Sequence, residues 1–203
     1  MRVLRNLPFV TTVAIFLLAY AICVIQFPNM LSTRVIGNLL TDNAFLGIAA
    51  VGMTFVIISG GIDLSVGSVI AFTSVFVAVL VGQLGVHPLI AFGLVLVIAA
   101  LFGAWMGMMI HYLGIPPFVA TLAGMFLARG AAFLISTQSV PISHPFIETL
   151  QGFYFRLPGG GRLTFVAMLM LAVFIIGGII AHRTRFGANI YALGGNAQSA
   201  ELM

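Results

Sequence analysis

Apolar residues run for about the width of a bilayer six times along this chain, and most polar positions fall between those runs. A helix needs about 20 such residues to cross roughly 30 Å of hydrocarbon. Segments at about 7–27, 44–60, 64–81, 88–109, 117–136 and 163–181 each meet that length. The pattern predicts an all-α fold: a polytopic bundle of about six transmembrane helices. The first segment imitates a signal peptide, with Arg2 and Arg5 ahead of an apolar core and an Ala19-Tyr20-Ala21 triplet. Its apolar run continues through Ile22-Cys23-Val24-Ile25, which favours an uncleaved first helix. Between the first two segments, Leu31, Val35 and Leu39 fall at i, i+4 and i+8, with Arg34, Asn38 and Asp42 elsewhere. That spacing predicts either a short helix lying in the membrane interface or an N-terminal extension of the second span.

The pattern is interrupted once inside an apolar stretch. Residues Thr54 to Ser68 read TFVIISGGIDLSVGS: a helix meets Gly60-Gly61, exposes Asp63 and resumes after Ser65. Hydrocarbon cannot hydrogen-bond a freed backbone, so a broken helix at membrane depth survives only where protein or a water-filled cavity satisfies it. An ionised carboxylate there costs on the order of 2.5–3.5 kcal/mol on insertion scales and is normally kept for function. The segment is therefore either a broken or re-entrant span lining a path, or a tight turn with Asp63 in water. The candidate path residues are Gly60, Gly61, Asp63 and Ser65, together with Arg129 in the fifth span. Arg129 either faces the interior, with Asp63 one candidate partner, or snorkels outward along its own stem.

Gly103 and Gly107 form a GxxxG pair, and Ala120, Gly124 and Ala128 step along one face of the fifth span. Such small residues let helices approach closely in lipid, and both sets are read as bundle packing rather than as a site.

Composition narrows the function. The chain of 203 residues is 62% hydrophobic and 6% charged, against roughly 25% charged in soluble domains. All eight basic residues are arginines, and a Walker A loop needs its lysine to reach the nucleotide phosphates. Nucleotide chemistry must come from another chain, and no cofactor is expected in this one. The arginines sit mostly at the ends of apolar runs, where they meet lipid headgroups. No clustered basic face for nucleic acid is formed. The single cysteine, Cys23, provides neither a disulfide nor a cysteine-based metal site, and His87, His111, His144 and His182 lack metal-ligand spacing. An intramembrane serine protease would need a motif such as GxSxG, which is absent, and an aspartyl protease a second intramembrane carboxylate beside Asp63.

With the N-terminus in the cytoplasm, six crossings put Arg2, Arg5, Arg183 and Arg185 inside against Arg34, Arg156 and Arg162 outside. Residues 137–162, with two prolines and Gly159-Gly160-Gly161, become an external loop with its own short structure, and residues 182–203 a cytoplasmic segment. In that segment Gly194-Gly195 are expected to break the chain and Asn196 to cap a short helix over 197–203. It reads as a docking element or as an ordinary surface tail.

Three motifs now stand in order: GMTFVIISGGIDLSVGS (Gly52–Ser68), PPFVATL followed by ARG (Pro116–Leu122, Ala128–Gly130), and TRFGxNIYALGGNxxxA (Thr184–Ala200). Together they resemble the inner-membrane permease subunits of bacterial monosaccharide ABC importers, the ribose-permease-like group, with wording closest to galactofuranose permeases. The resemblance implies a multi-pass protein of the bacterial inner membrane and a periplasmic sugar-binding protein that delivers substrate. It also implies separate cytoplasmic ABC ATPase subunits that use ATP and Mg, and a second permease subunit forming a homo- or heterodimer. Gly194, Gly195, Asn196, Ala200 and Glu201 would correspond to the segment that couples to the ATPase. Permeases of this group continue into further spans beyond this motif, so residues 1–203 correspond to the N-terminal part, about two-thirds, of one permease domain. The rival reading is an ion-coupled secondary transporter in which Asp63 carries a proton or Na⁺ beside the broken helix.

Overall fold

The computed structural model describes residues 7–196. Helix α1 (Leu7–Gln26) is apolar on all sides apart from Thr11, Thr12 and its last residue, Gln26, as expected of a helix surrounded by hydrocarbon or other helices. A 3₁₀ turn (Pro28–Leu31) leads to α2 (Thr33–Asp42), where the Ser32 hydroxyl accepts from the Val35 N–H at 3.4 Å. Helix α3 (Ala44–Ile58) follows after one residue, Asn43, at a bend of 59°. The amphipathic segment is thus a helix of its own, turned away from the span it precedes. At 15 residues α3 alone covers only about 22 Å, so crossing the membrane requires the pair together.

After the break come α4 (Val66–Ala78), extended by a π turn over Val79–Gln83, then α5 (Pro88–Leu113) and α6 (Pro117–Ile135). Both α5 and α6 begin on proline, whose missing N–H costs nothing in a first helical turn. Gly114 ends α5 in the left-handed conformation at φ 64°. A short helix α7 (Pro145–Gly152), strands β1 (Tyr154–Arg156) and β2 (Arg162–Thr164), and helices α8 (Phe165–Arg183) and α9 (Arg185–Gly195) complete the order.

Among the described residues, four helices are long and apolar enough to cross a membrane: α4 with its π turn, α5, α6 and α8. The bent α2–α3 pair makes a fifth, and α1 is apolar over the shorter stretch Val10–Gln26. The architecture is an all-α membrane bundle. Helix α4 packs along α6, α3 along α8, and α9 folds back onto both α8 and α3. The expected small-residue face of α6 is buried at Ala120, Gly124 and Ala128, with Gly124 closing on the Met106 sulfur and the Phe102 ring of α5. Large side chains such as Ile25, Leu134 and Ile175 point outward, which suits hydrocarbon rather than water.

Residues 137–162 carry their own structure, pinned to α2. The His144 Nδ1 accepts from the Phe146 N–H at 3.1 Å to start α7, and Ile147 packs on the buried cluster of Val77, Val81, Ala91 and Val95. In the hairpin Tyr154 faces Thr164 and Arg156 faces Arg162. The Arg162 guanidinium lies 4.7 Å from the Tyr154 ring centre. A hydrogen bond with Arg156, followed by the charges of Arg162 and Arg156, lowers the Tyr154 pKa. Gly159 and Gly160 turn the chain at φ 86° and 84°. The Thr33 hydroxyl donates to the Pro158 carbonyl at 2.7 Å and accepts from the Gly161 N–H at 3.2 Å. Gly37 lets α2 lie directly on the Arg162 carbonyl, with no room for a Cβ. Gly37→Val should therefore cost about 1–3 kcal/mol of stability, because the obstacle is backbone and cannot rotate away. Thermal unfolding of the detergent-solubilised protein checks this against Gly52→Ala, whose added methyl meets no atom within 4 Å.

Candidate functional site

The break between α3 and α4 is held by short-range bonds that its own sequence supplies. The Ser59 hydroxyl donates to the Val56 carbonyl at 2.8 Å, the Gly60 N–H to Ile57 at 3.0 Å and the Gly61 N–H to Val56 at 2.9 Å. Gly60 takes φ 81°, a conformation that favours glycine, and the chain then runs without regular secondary structure to Ser65. On the far side Asp63 Oδ1 accepts from the Ser65 N–H at 2.7 Å and from its hydroxyl at 2.6 Å. Ser65, only 1% exposed, then starts α4 by receiving the Val69 N–H on its carbonyl at 2.9 Å. From α6, the buried Thr121 hydroxyl donates to Pro117 at 2.8 Å and lies 3.4 Å from the Ile62 carbonyl.

A cavity of about 530 Å³ opens against this break. Gly60, Gly61 and Asp63 line one side, Gly103, Met106 and Gly107 of α5 another, and Thr121 and Leu193 complete it. A second cavity of about 200 Å³ shares Asp63, Gly103 and Met106 and adds Ser65. Asp63 thus stands where the two spaces meet, and it is the one ionisable group among their described lining residues. The volume lies within the roughly 300–1,000 Å³ of small-molecule sites.

The structure brings Gly60, Gly61, Asp63 and Ser65 together. Arg129 is exposed on α6 and lines neither cavity. Three further residues belong to the site. Thr121 was visible only as a polar position in an apolar span. Gly103 and Gly107 correct the packing reading: a Cβ at either would meet nothing within 4 Å, so these glycines leave space open instead of closing a helix contact. Spacing alone could not show which neighbour their face would meet.

The segment after α8 also departs from expectation. Thr184 alone separates the two helices, donating to the Ile180 carbonyl at 2.6 Å and accepting from the Gly187 N–H at 3.2 Å. Gly194 and Gly195 form the last residues of α9, so the expected break falls after the pair, at extended Asn196, rather than before it. The expected helix over 197–203, with Ala200 and Glu201, lies outside the described residues. Glycine is tolerated there because Gly194 abuts the Ile58 carbonyl, which leaves no room for a side chain.

Against known proteins, a family model described as branched-chain amino acid transport system / permease component matches residues 35–203. The chain is 60% identical over 199 residues to the inner membrane ABC transporter permease protein YjfF of Escherichia coli, covering 98% of this chain and 60% of YjfF. It is 37% identical to the fructose import permease FruG of Bifidobacterium longum, again covering 98% and 60%. To the ribose import permease RbsC of Escherichia coli it is 35% identical, covering 86% of this chain and 54% of RbsC. The chain thus spans between half and two-thirds of these relatives' length. No solved structure matches it.

Proposed function

The chain belongs to the family of branched-chain amino acid transport system permease components, and from that premise we propose that it forms the membrane path of an ATP-driven importer for a monosaccharide. The cavity at the break carries this reading: about 530 Å³, lined by glycines, apolar side chains, the hydroxyls of Ser59 and Thr121, and one carboxylate. A neutral polyol asks for hydroxyl-matching donors and acceptors and for weak binding, and such a lining supplies both. An amino acid would bring a carboxylate needing a cationic partner, whereas Arg129, the arginine inside an apolar span, lies away from the cavity. The import of fructose and ribose by two of the relatives points the same way. The motif wording makes galactofuranose the first sugar to try.

In this reading the protein is a multi-pass subunit of the bacterial inner membrane with its N-terminus in the cytoplasm. A periplasmic binding protein delivers the sugar, and a second permease subunit, identical or not, faces the path. ATP is hydrolysed with Mg by separate cytoplasmic ATPases, since the lysine-free chain has no phosphate loop. Closure of the ATPases moves the segment from Arg183 onward and shifts the opening from one side to the other. The test is uptake of labelled monosaccharides by cells expressing the full-length permease with its partners. Uptake should stop on ATP depletion and persist when a protonophore collapses the proton gradient. Uptake that survives ATP depletion while the gradient is held would replace this reading with ion coupling through Asp63.

A further inference from the structure

The last turn of α9 lies on the break itself. The hydrogen bonds that end α3 fall on the carbonyls of Phe55, Val56 and Ile57. Gly194 comes up against the next carbonyl, that of Ile58, and an added Cβ would also stand 2.9 Å from the Ile58 carbonyl carbon. One residue earlier, Leu193 forms part of the wall of the cavity that Gly60 and Asp63 line. Two turns back, the Phe186 ring meets Phe55 of α3 at 5.9 Å between centres, while Gly187 closes on the Ala181 carbonyl at the end of α8. Helix α9 is therefore held against α3 at both of its ends, while Thr184 links it in the chain to α8, which it also touches through Gly187 and Tyr191.

From this we infer that Gly194 is a positioning residue for transport: it seats α9 on the Ile58 carbonyl, so that any displacement of α9 carries the end of α3 and, through Leu193, the cavity wall with it. The inference rests on the permease reading and deepens it. Glycine inside a helix costs roughly 1 kcal/mol relative to alanine. At position 194 the residue is held there by contact, because only a bare Cα can approach a carbonyl so closely. The obstacle is backbone, so a side chain at 194 would push α9 off α3 rather than find another rotamer.

The experiment uses the full-length permease carrying this segment, assembled with its ATPases in proteoliposomes and supplied with sugar-loaded binding protein. Sugar uptake and ATP hydrolysis are measured in parallel for wild type, Gly194→Ala and Gly93→Ala, the last having open space around its added methyl. Gly194→Ala should still assemble and hydrolyse ATP while sugar moved per ATP falls about tenfold, the equivalent of roughly 1.4 kcal/mol of lost coupling. Gly93→Ala should match wild type. An unchanged ratio for Gly194→Ala, or a parallel fall of uptake and hydrolysis, overturns the inference. Should Gly194→Ala fail to assemble, a cross-link decides. Phe55→Cys with Phe186→Cys, in a background free of other cysteines, is joined by a short bifunctional thiol reagent. A contact that moves as one body keeps its uptake when joined, whereas loss of uptake on joining shows that α9 slides on α3 and overturns the inference. Absence of ATP-dependent uptake in the wild type would instead overturn the permease reading.

Discussion

Gly103→Val should reduce sugar uptake by more than about tenfold, a change of at least roughly 1.4 kcal/mol in the transport barrier, while the protein inserts and folds as before. Gly103 borders both cavities at the break, and a Cβ there meets nothing within 4 Å. The new side chain therefore occupies empty space without displacing a neighbour. Helix stability should rise slightly, by about 0.3–0.5 kcal/mol, since valine is a somewhat better helix former than glycine. Opposite signs for stability and uptake are the signature of a filled path. Gly103→Ala should fall between valine and wild type. Gly124→Val should behave the other way round, lowering stability first, because its Cβ runs into Met106 and Phe102. Uptake and thermal unfolding measured on the same preparations check all three. Normal uptake by Gly103→Val would mean that sugar passes elsewhere.

Asp63→Ala is expected to have the other large effect. It removes the acceptor shared by the Ser65 N–H and hydroxyl, and Ser65 is almost completely enclosed. Leaving buried donors unpaired costs about 1–3 kcal/mol each, so the start of α4 should loosen and uptake should fall about tenfold or more. Asp63→Asn keeps a carbonyl oxygen that can accept the same bonds, so it should preserve stability and lose less uptake. That order separates the two transport mechanisms. A carrier that moves a proton or Na⁺ on Asp63 would lose function equally with alanine and asparagine, because both delete the charge. Comparing uptake by the two variants at equal membrane abundance decides between them.

The apolar periodicity was enough to locate the membrane helices, since a run of 20 apolar residues has few other uses. It also located the break, because Gly60-Gly61 followed by Asp63 and Ser65 is a local instruction whose bonds are made within two to five residues. What could not be read was which faces meet. Gly103 and Gly124 belong to identical small-residue patterns, yet one looks into a cavity and the other into Met106. Gly194 and Gly195 carry the local signal of a helix end, and α9 does end at Gly195; what could not be read is that Gly194 meets Ile58, 136 positions earlier. The sequence leaves the bend at Asn43 open, since a short interfacial helix and a straight extension of the next span both fit the spacing. A polar residue at a helix junction is compatible with a straight continuation, and the contacts that hold α2 in its bent position, from the hairpin to Thr33, Gly37 and Thr41, are long-range.

That clamp fixes one end of an arm made of α3 and of α8, which packs along it. The beginning of α3 adjoins α2, which the hairpin holds, while its end carries the break. Fifteen residues give it an arm of about 22 Å. Pivoting by about 10° at Asn43 would swing Ile58 through about 4 Å, since the arc scales with the same 1.5 Å rise per residue. That travel is comparable to the width of a sugar hydroxyl and its hydrogen-bonded partner, so a joint rotation of α3 and α8 about that fulcrum would be enough to change the opening without melting helix. Shortening the arm by one helical turn would reduce the stroke by about a quarter, and lengthening α2 would leave it unchanged.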